Sequence, residues 1–584
     1  MRDVFTTRPE LAGTFGMVAS THWLASAAGM AVLEDGGNAF DAAAAVGFTL
    51  HVVEPHMNGP GGEVPAILAT AADPTPTVLC GQGVAPAAAT VARFRDEGLE
   101  LVPGTGLLAA TVPGAVGAWL TLLRDHGTKP LREILRFAIG YAEHGHPVAE
   151  AVVATIETVE QLFRTHWPTS ARQWLPAARP GELVRNQILA RTYERLVDEA
   201  EAAGADREAQ LDAAIRAWYE GFVAEELDAF CRTEALDDSG HPHRGLLTGA
   251  DLAAWRPNYE PPVSVDAYGW RVCKAGAWSQ GPVLLQQLAM HQVMGDPPPP
   301  GSAELIHRVT EIAKLAFADR EANYGDDPAV PLDRLLSPEY AAERAGAVGA
   351  EAAPPMRPGT GRLPRFVTEG GRVQVTGLGI GEPTLSPLGT NRSDTCHIDV
   401  IDRWGNVISA TPSGGWLQSS PIVESLGFCL GTRAQMFWLE EGLPNSLAPG
   451  KRPRTTLSPS LAVRDGRILS FGTPGGDQQD QWQLGFFLNH AAHGMNLQAA
   501  IDAPSWHTTT FTSSFYPRET GTELVVESRV DSQAVAELER RGHRVTVVEP
   551  WSLGRLSAVS RDLGTGILKA AANPRGQQGY AVGR

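Results

Sequence analysis

A chain of 584 residues, 43% hydrophobic and 20% charged, is long enough to bury a sizeable core, as one large domain or several. Its formal net charge of -18 argues against nucleic acid as a partner, because non-specific affinity for phosphate backbones rests on clustered Lys and Arg. The five cysteines, Cys80, Cys231, Cys273, Cys396 and Cys429, are odd in number and form no CxxC pair, so neither a disulfide framework nor a zinc site is indicated.

The opening "MRDVFTTRPELAGTFG" has no apolar core of a signal peptide, and no run of about 18 apolar residues occurs in the chain. A cytoplasmic protein without membrane contact is the expectation. The first strong pattern is "THWLASAAGMAVLEDGGNAFDAAAAVGFTLHVVEP". Trp23, Ala27 and Met30 recur at helical spacing, Gly36 and Gly37 suit a left-handed cap, and the run from Ala42 to Ala45 is apolar nearly all round, as in a buried helix.

Residues 106 to 220 keep a mostly helical pattern, as in "AVGAWLTLLRDHG" and "LREILRFAIGYAEHG". The prolines of "GDPPPPGS" at 295 to 302 lack amide donors and mark a loop. From about Gly346 to Ser393 the sequence is rich in Gly, Pro and Arg without periodicity, which predicts a long mobile segment or an uncovered loop. Order resumes at Asp394. "CHIDVID", "RWGN" and "VISAT" then give strand, turn and strand, with Gly405 and Asn406 able to supply the positive φ of a hairpin. "VDSQAVAELERRGHRVTVVEP" predicts a helix begun at Asp531, stopped at Gly542 and followed by a strand. No repeat of solenoid period is present, so a layered α and β architecture is expected.

Standard catalytic signatures are missing: no HExxH, GxxxxGK[ST], GxSxG or complete GxGxxG after a strand. His144 with His146, and His241 with His243, lack acidic or Cys partners at ligand spacing and are expected in loops, with no metal bound. Three Gly-rich turns remain: "MNGPGGE" at 57 to 63, "SGGW" at 413 to 416 and "GTPGGDQQD" at 472 to 480. Each is a tight turn or a place where backbone amides approach an anion.

The segment "NRSDTCHIDVID" puts a hydroxyl, Thr395, at the entry of a strand, behind the carboxylate of Asp394. Thr395, His397 and Asp399 alternate onto one face, but neighbours two apart on a strand are separated by about 6 to 7 Å, poor spacing for a relay of short hydrogen bonds. A second reading is structural, since Thr is a good strand former. A third is an N-terminal nucleophile: cutting the bond between Asp394 and Thr395 would give Thr395 an α-amine of pKa about 8 beside its own hydroxyl, so that one residue supplies nucleophile and base.

Seven segments in order carry a resemblance: "GMVASTHWLASAAGMAVLEDGGNAFDAAAA", "VVEPHMNGPGG", "VAPAAAT", "ATVPGAVGAWLTLL", "DTCHIDVIDRWGNVISAT", "KRPRTTLSPSLAV" and "GTPGG". Over nearly its whole length the chain resembles the γ-glutamyltransferases, Thr-dependent N-terminal-nucleophile hydrolases made as precursors that cleave themselves. The resemblance implies an α/β fold of the α+β kind, an αββα sandwich built jointly from 1–394 and 395–584 as an obligate heterodimer. It implies Thr395 as nucleophile, with Cys396 in place of the family's second Thr, and Ser413 where a Thr hydrogen-bonds the nucleophile. Gly475 and Gly476 match the oxyanion pair, and Thr455 and Thr456 replace two serines lining the acyl pocket. No metal or organic cofactor is needed.

Departures from the family pattern fall in the substrate pocket. Gln82 stands where an Arg forks onto the γ-glutamyl carboxylate, and an uncharged amide cannot replace that contact. Gly415 stands where an Asn is usual, Met436 where an acidic residue holds the α-ammonium, and Arg433 brings a cation into the same segment. These changes imply poor γ-glutamyl transfer and another small-molecule amide or acyl substrate, with water or an amine as acceptor. Alternatives are an amidohydrolase of short oxo-acid or oxalyl amides, whose carboxylate Arg433 would meet, a natural-product C–C or amide hydrolase, and a non-catalytic relative acting as a binding module. For Arg433 a structural salt bridge is an equal expectation.

Overall fold

A computed structural model describes residues 5–373 and 395–584. Asp394, on the expected cleavage bond, and residues 374–393 of the unpatterned stretch before it lie outside the described residues. The strands of the main sheets are β1 (Leu11–Gly13), β2 (Gly16–Ser20), β3 (Val64–Ala69), β4 (Thr77–Gly81), β5 (Asn258–Glu260), β6 (Val263–Ala267) and β7 (Trp270–Lys274). After the undescribed residues come β8 (Ile398–Asp402), β9 (Val407–Ala410), β10 (Ser460–Arg464), β11 (Arg467–Gly472), β12 (Ser557–Asp562), β13 (Leu568–Ala572) and β14 (Tyr580–Gly583). They form two seven-stranded sheets, ordered β1-β13-β12-β11-β10-β7-β6 and β14-β2-β8-β9-β3-β4-β5. Each sheet takes strands from both sides of residue 394, and all of these neighbours are antiparallel.

The sheets stack face to face around Met17, Ile67, Val78, Leu461, Ile468 and Val559. The outer face of the second sheet, with Val18, Leu68, Ile398 and Val400, packs on helices α1 (Trp23–Glu34), α2 (Ala39–Val53) and α3 (Ala115–His126). The outer face of the first sheet, with Val272, Leu469 and Phe471, packs on α4 (Pro282–Val293) and α5 (Gln479–Phe487). The layers therefore run helix, sheet, sheet, helix, the αββα sandwich.

Local chemistry sets the elements near the site. Helix α1 ends before Gly36, which holds φ +87, and α2 opens on a capping box between Asn38 and Asp41. Each residue of α2 is buried, in keeping with its apolar run from Ala42 to Ala45, and Gly47 is needed there because a Cβ would meet Trp119 at 2.4 Å. In the β8 to β9 hairpin, Asp402 Oδ1 accepts from the amides of Trp404, Gly405 and Asn406, while Gly405 takes φ +108. The helix of the last third runs Ser532–Arg540 with Asp531 as its cap, followed by a strand at Val545–Val548. Strand β3 is covered on both faces, so it shows no alternation and is hidden in the sequence.

Candidate functional site

Thr395 sits just ahead of β8 and forms a single antiparallel bridge with Ser413, which is bridged on its other side to Glu63. Three short backbone pieces thus lie side by side. Glu63 and Ser413 exchange both amide bonds, at 2.9 and 3.0 Å. Across this ladder the Thr395 and Ser413 hydroxyls lie 3.3 Å apart. In the intact chain the nitrogen of Thr395 is an amide, and the residue is buried.

Arg433, at the start of a short 3-10 turn, is almost completely buried and reaches the same point. Its Nε donates to Glu63 Oε1 at 2.5 Å, its Nη2 contacts the same carboxylate, and Nη2 donates to Ser413 Oγ at 3.0 Å. The guanidinium also lies over the Trp416 ring, 5.2 Å from its centre. Of the two expectations for Arg433, the salt bridge is the one seen, and a substrate carboxylate would have to compete with Glu63. Sequence reasoning missed Glu63. Its signal was available, since a buried Arg demands a counter-charge.

The first two Gly-rich turns pack back to back around Ser413. A Cβ at Gly62 would meet Ser413 O at 2.2 Å and one at Gly59 would meet Gly415 O at 2.4 Å, so these glycines serve close backbone approach. The third turn leaves β11 beside the segment leading into β8: a Cβ on Gly472 would strike the His397 ring at 2.2 Å. Gly475 and Gly476 hold φ +124 and +52 and lead through a 3-10 turn into α5. Asp477 is anchored by Arg320 and by the Ser514 amide and hydroxyl at 2.8 and 2.6 Å. Asp480 takes the Ser458 hydroxyl at 2.6 Å, which ties this turn to the segment carrying Thr455 and Thr456.

Thr455 Oγ1 accepts from the Leu457 amide at 3.3 Å, whereas the buried Thr456 hydroxyl finds no hydrogen-bond partner among the described residues. Gln82 is buried too; its Nε2 donates to Gly83 O at 3.3 Å and its Oε1 is unpartnered among the described residues. Met436 is buried beside Arg433, its sulfur 3.8 Å from Nη1.

The linear relay through Thr395, His397 and Asp399 is not formed. His397 Nδ1 pairs with the Thr411 hydroxyl at 3.0 Å; its Nε2 is 3.1 Å from Asp399 Oδ2 but off the line of a hydrogen bond. Asp399 instead takes the hydroxyls of Ser470 and Ser557, at 2.5 and 2.7 Å, across the sheet interface.

Of the His pairs, His243 does have an acidic partner, Asp237 at 2.7 Å, brought to it by a hairpin. One group of three among the described residues has metal-ligand character, and the sequence reading did not find it: His307, Glu311 and His543. Its hydrogen bonds are completed internally. His307 bonds Gly349 O at 2.9 Å and His543 at 2.8 Å, and Glu311 takes Lys314 at 2.6 Å and the Ala353 amide at 3.1 Å.

An αββα sandwich with a hydroxyl residue at the entry of a central strand is the architecture of an N-terminal-nucleophile hydrolase. The family model "Gamma-glutamyltranspeptidase" matches residues 25–583, and the chain belongs to that family of hydrolases and transpeptidases. It is similar to the solved structure of LmbA2991HD, with 60% identity and a TM-score of 0.94 over 100% of both chains. It is also similar to cephalosporin acylase from Bacillus halodurans, with 29% identity and a TM-score of 0.82 over 100% of this chain and 98% of that one. Among curated proteins, the glutathione hydrolase-like YwrD proenzyme of Bacillus subtilis (strain 168) is 31% identical over 592 residues, 98% of this chain and 99% of that protein. Among the described residues, no helix is long and apolar enough to cross a membrane.

Proposed function

We propose that this chain is a proenzyme that cuts itself between Asp394 and Thr395 and then hydrolyses or transfers an acyl group through an acyl-enzyme on Thr395. The observation that carries the reading is the Thr395 to Ser413 contact at the head of β8 in a γ-glutamyltranspeptidase-family chain. The freed α-amine takes the proton as Thr395 Oγ1 attacks the substrate carbonyl, and Ser413 orients that hydroxyl. The amides of Gly475 and Gly476 stabilise the oxyanion. The amine returns the proton to the leaving group, and water or an acceptor amine then releases the acyl group. The products 1–394 and 395–584 stay together because both sheets mix their strands.

The substrate is an amide or related acyl compound other than a γ-glutamyl one. Gln82 and Met436 give an amino-acid head group no charged partners, and the charge of Arg433 is matched by Glu63. A second reading, short oxo-acid or oxalyl amides, draws support from Arg433 Nη1. Among the described residues this edge meets only the weakly accepting Met436 sulfur and can donate to a substrate oxygen beside Thr395. Curated relatives include an oxamate amidohydrolase proenzyme and an acylase proenzyme. Mass spectrometry of purified protein should show the two chains, and Thr395→Ala a single one. A screen of γ-glutamyl anilides against oxalyl, α-keto-acyl and aliphatic amides, with Thr395→Ala as blank, tests specificity; strong γ-glutamyl turnover would refute it.

A further inference from the structure

Strand alternation sends the side chains of Thr395 and Cys396 to opposite faces. Cys396 enters the helix layer, where its thiol donates to Glu54 Oε2 at 3.1 Å and its sulfur accepts from Asn58 Nδ2 at 3.2 Å. Glu54 is the cap residue at the end of α2, and Oε2 also takes the Thr21 hydroxyl at 2.6 Å. Asn58 is fixed in turn by Leu50 O and Glu54 O, at 3.1 and 3.3 Å. The Cys396 amide donates to Pro412 O at 2.9 Å. Thr21, Glu54, Asn58 and Cys396 are each at most 3% exposed.

A cut before Thr395 would make a chain end just ahead of β8, and chain ends fray unless tied down. A reacting group has to be held to within about 0.5 Å. Ser413 orients the Thr395 hydroxyl, but the amine must stay free to take the proton, so the backbone of Thr395 needs a further tie. The tie therefore has to come from the next residue.

We propose that Glu54 is a positioning residue for the N-terminal nucleophile: through the Cys396 thiol it clamps the second residue of the cleaved strand and keeps Thr395 facing Ser413. The proposal rests on Thr395 being the nucleophile. Burial pushes the Cys396 thiol well above its usual range, and the nearby Glu54 charge adds to the shift. The thiol therefore stays protonated, a donor to Glu54 and not a rival nucleophile. Burial raises the Glu54 carboxyl, while the Thr21 and Cys396 donors and the Arg555 charge oppose it.

The test uses the isosteric pair Cys396→Thr, which keeps a donor, and Cys396→Val, which does not. In the full-length protein, cleavage is followed by mass spectrometry, acylation by the nitrophenolate burst from p-nitrophenyl acetate, and local order by hydrogen exchange at residues 396 to 402. Cys396→Val should be cut yet acylate at least about 10-fold more slowly, with faster exchange, while Cys396→Thr stays within about threefold of the parent. Should Cys396→Val remain uncut, Glu54→Gln, which keeps volume but weakens the acceptor, carries the same comparison. Equal rates and equal exchange in the parent and these variants would overturn the clamp. A burst that survives Thr395→Ala would instead overturn the nucleophile assignment.

Discussion

The hydroxyls of Thr395 and Ser413 lie 3.3 Å apart, 18 residues from each other in sequence, and Ser413 also accepts from Arg433. That donation occupies one lone pair of Ser413 and restricts how its own proton can point. Ser413→Ala is expected to lower kcat/KM by about 10- to 100-fold, the worth of one lost buried hydrogen bond. Ser413→Thr should keep most activity. Steady-state kinetics on any amide found in the screen checks both.

The Arg433 to Glu63 pair is buried, and removing one member strands the other charge. Glu63→Ala should cost about 3 to 5 kcal/mol of folding stability. The double variant Glu63→Gln with Arg433→Met, which removes both charges, should be less damaged than the sum of its single changes. Denaturant midpoints for the four proteins of that cycle measure the coupling.

Gly475 is required on two counts: its φ of +124 and a Cβ that would stand 2.2 Å from Trp482 Cζ3. Gly475→Ala should abolish turnover and lower stability by more than about 1 kcal/mol. Gly485→Ala, ten residues on in α5 with nothing within 4 Å of its Cβ, should be neutral or stabilising by up to about 1 kcal/mol. Thermal melts and activity of the two variants form a matched pair.

Four buried histidines set an acid limit. Burial lowers His22, His51, His56 and His507 from 6.5 to about 3, with the Arg555 charge adding to the effect at His56. Below pH 6.5 the unfolded chain binds protons that the folded chain refuses, so stability is fully present above that pH and falls as the pH drops toward 3. Asp238, raised by burial to about 7, works in the opposite direction, as do Glu54, Asp319 and Asp480, whose carboxyls burial also raises; buried His146, His291 and His543, lowered to about 4, 4 and 3, add to the acid-side loss. The melting temperature should drop by more than about 5 °C between pH 7 and pH 5, and a flat profile would contradict these environments.

Much of this was legible in the sequence. The Gly36 stop, the apolar run Ala42 to Ala45 of α2, the Gly405 to Asn406 turn and the Asp531 cap each depend on neighbours within a few residues, where local chemistry and hydrophobic period act. Thr395, Ser413, Gly475 and Gly476 could be named because their segments keep a family's order. The strands β3 and β4 could not, because a strand covered on both faces has no polar alternation to read.

The sequence alone determined that Thr395 heads a buried strand and that the fold is layered, and its resemblance to a family implied that Gln82 and Met436 stand where charged residues are usual. Tertiary structure decided which partners those residues meet. Arg433 is matched by Glu63 from 370 positions away, and Cys396 is gripped by Glu54 from 342 away. Such pairings arise where antiparallel sheets bring distant segments to one point, and the energy of a buried charge or thiol depends on what stands within hydrogen-bond reach in space.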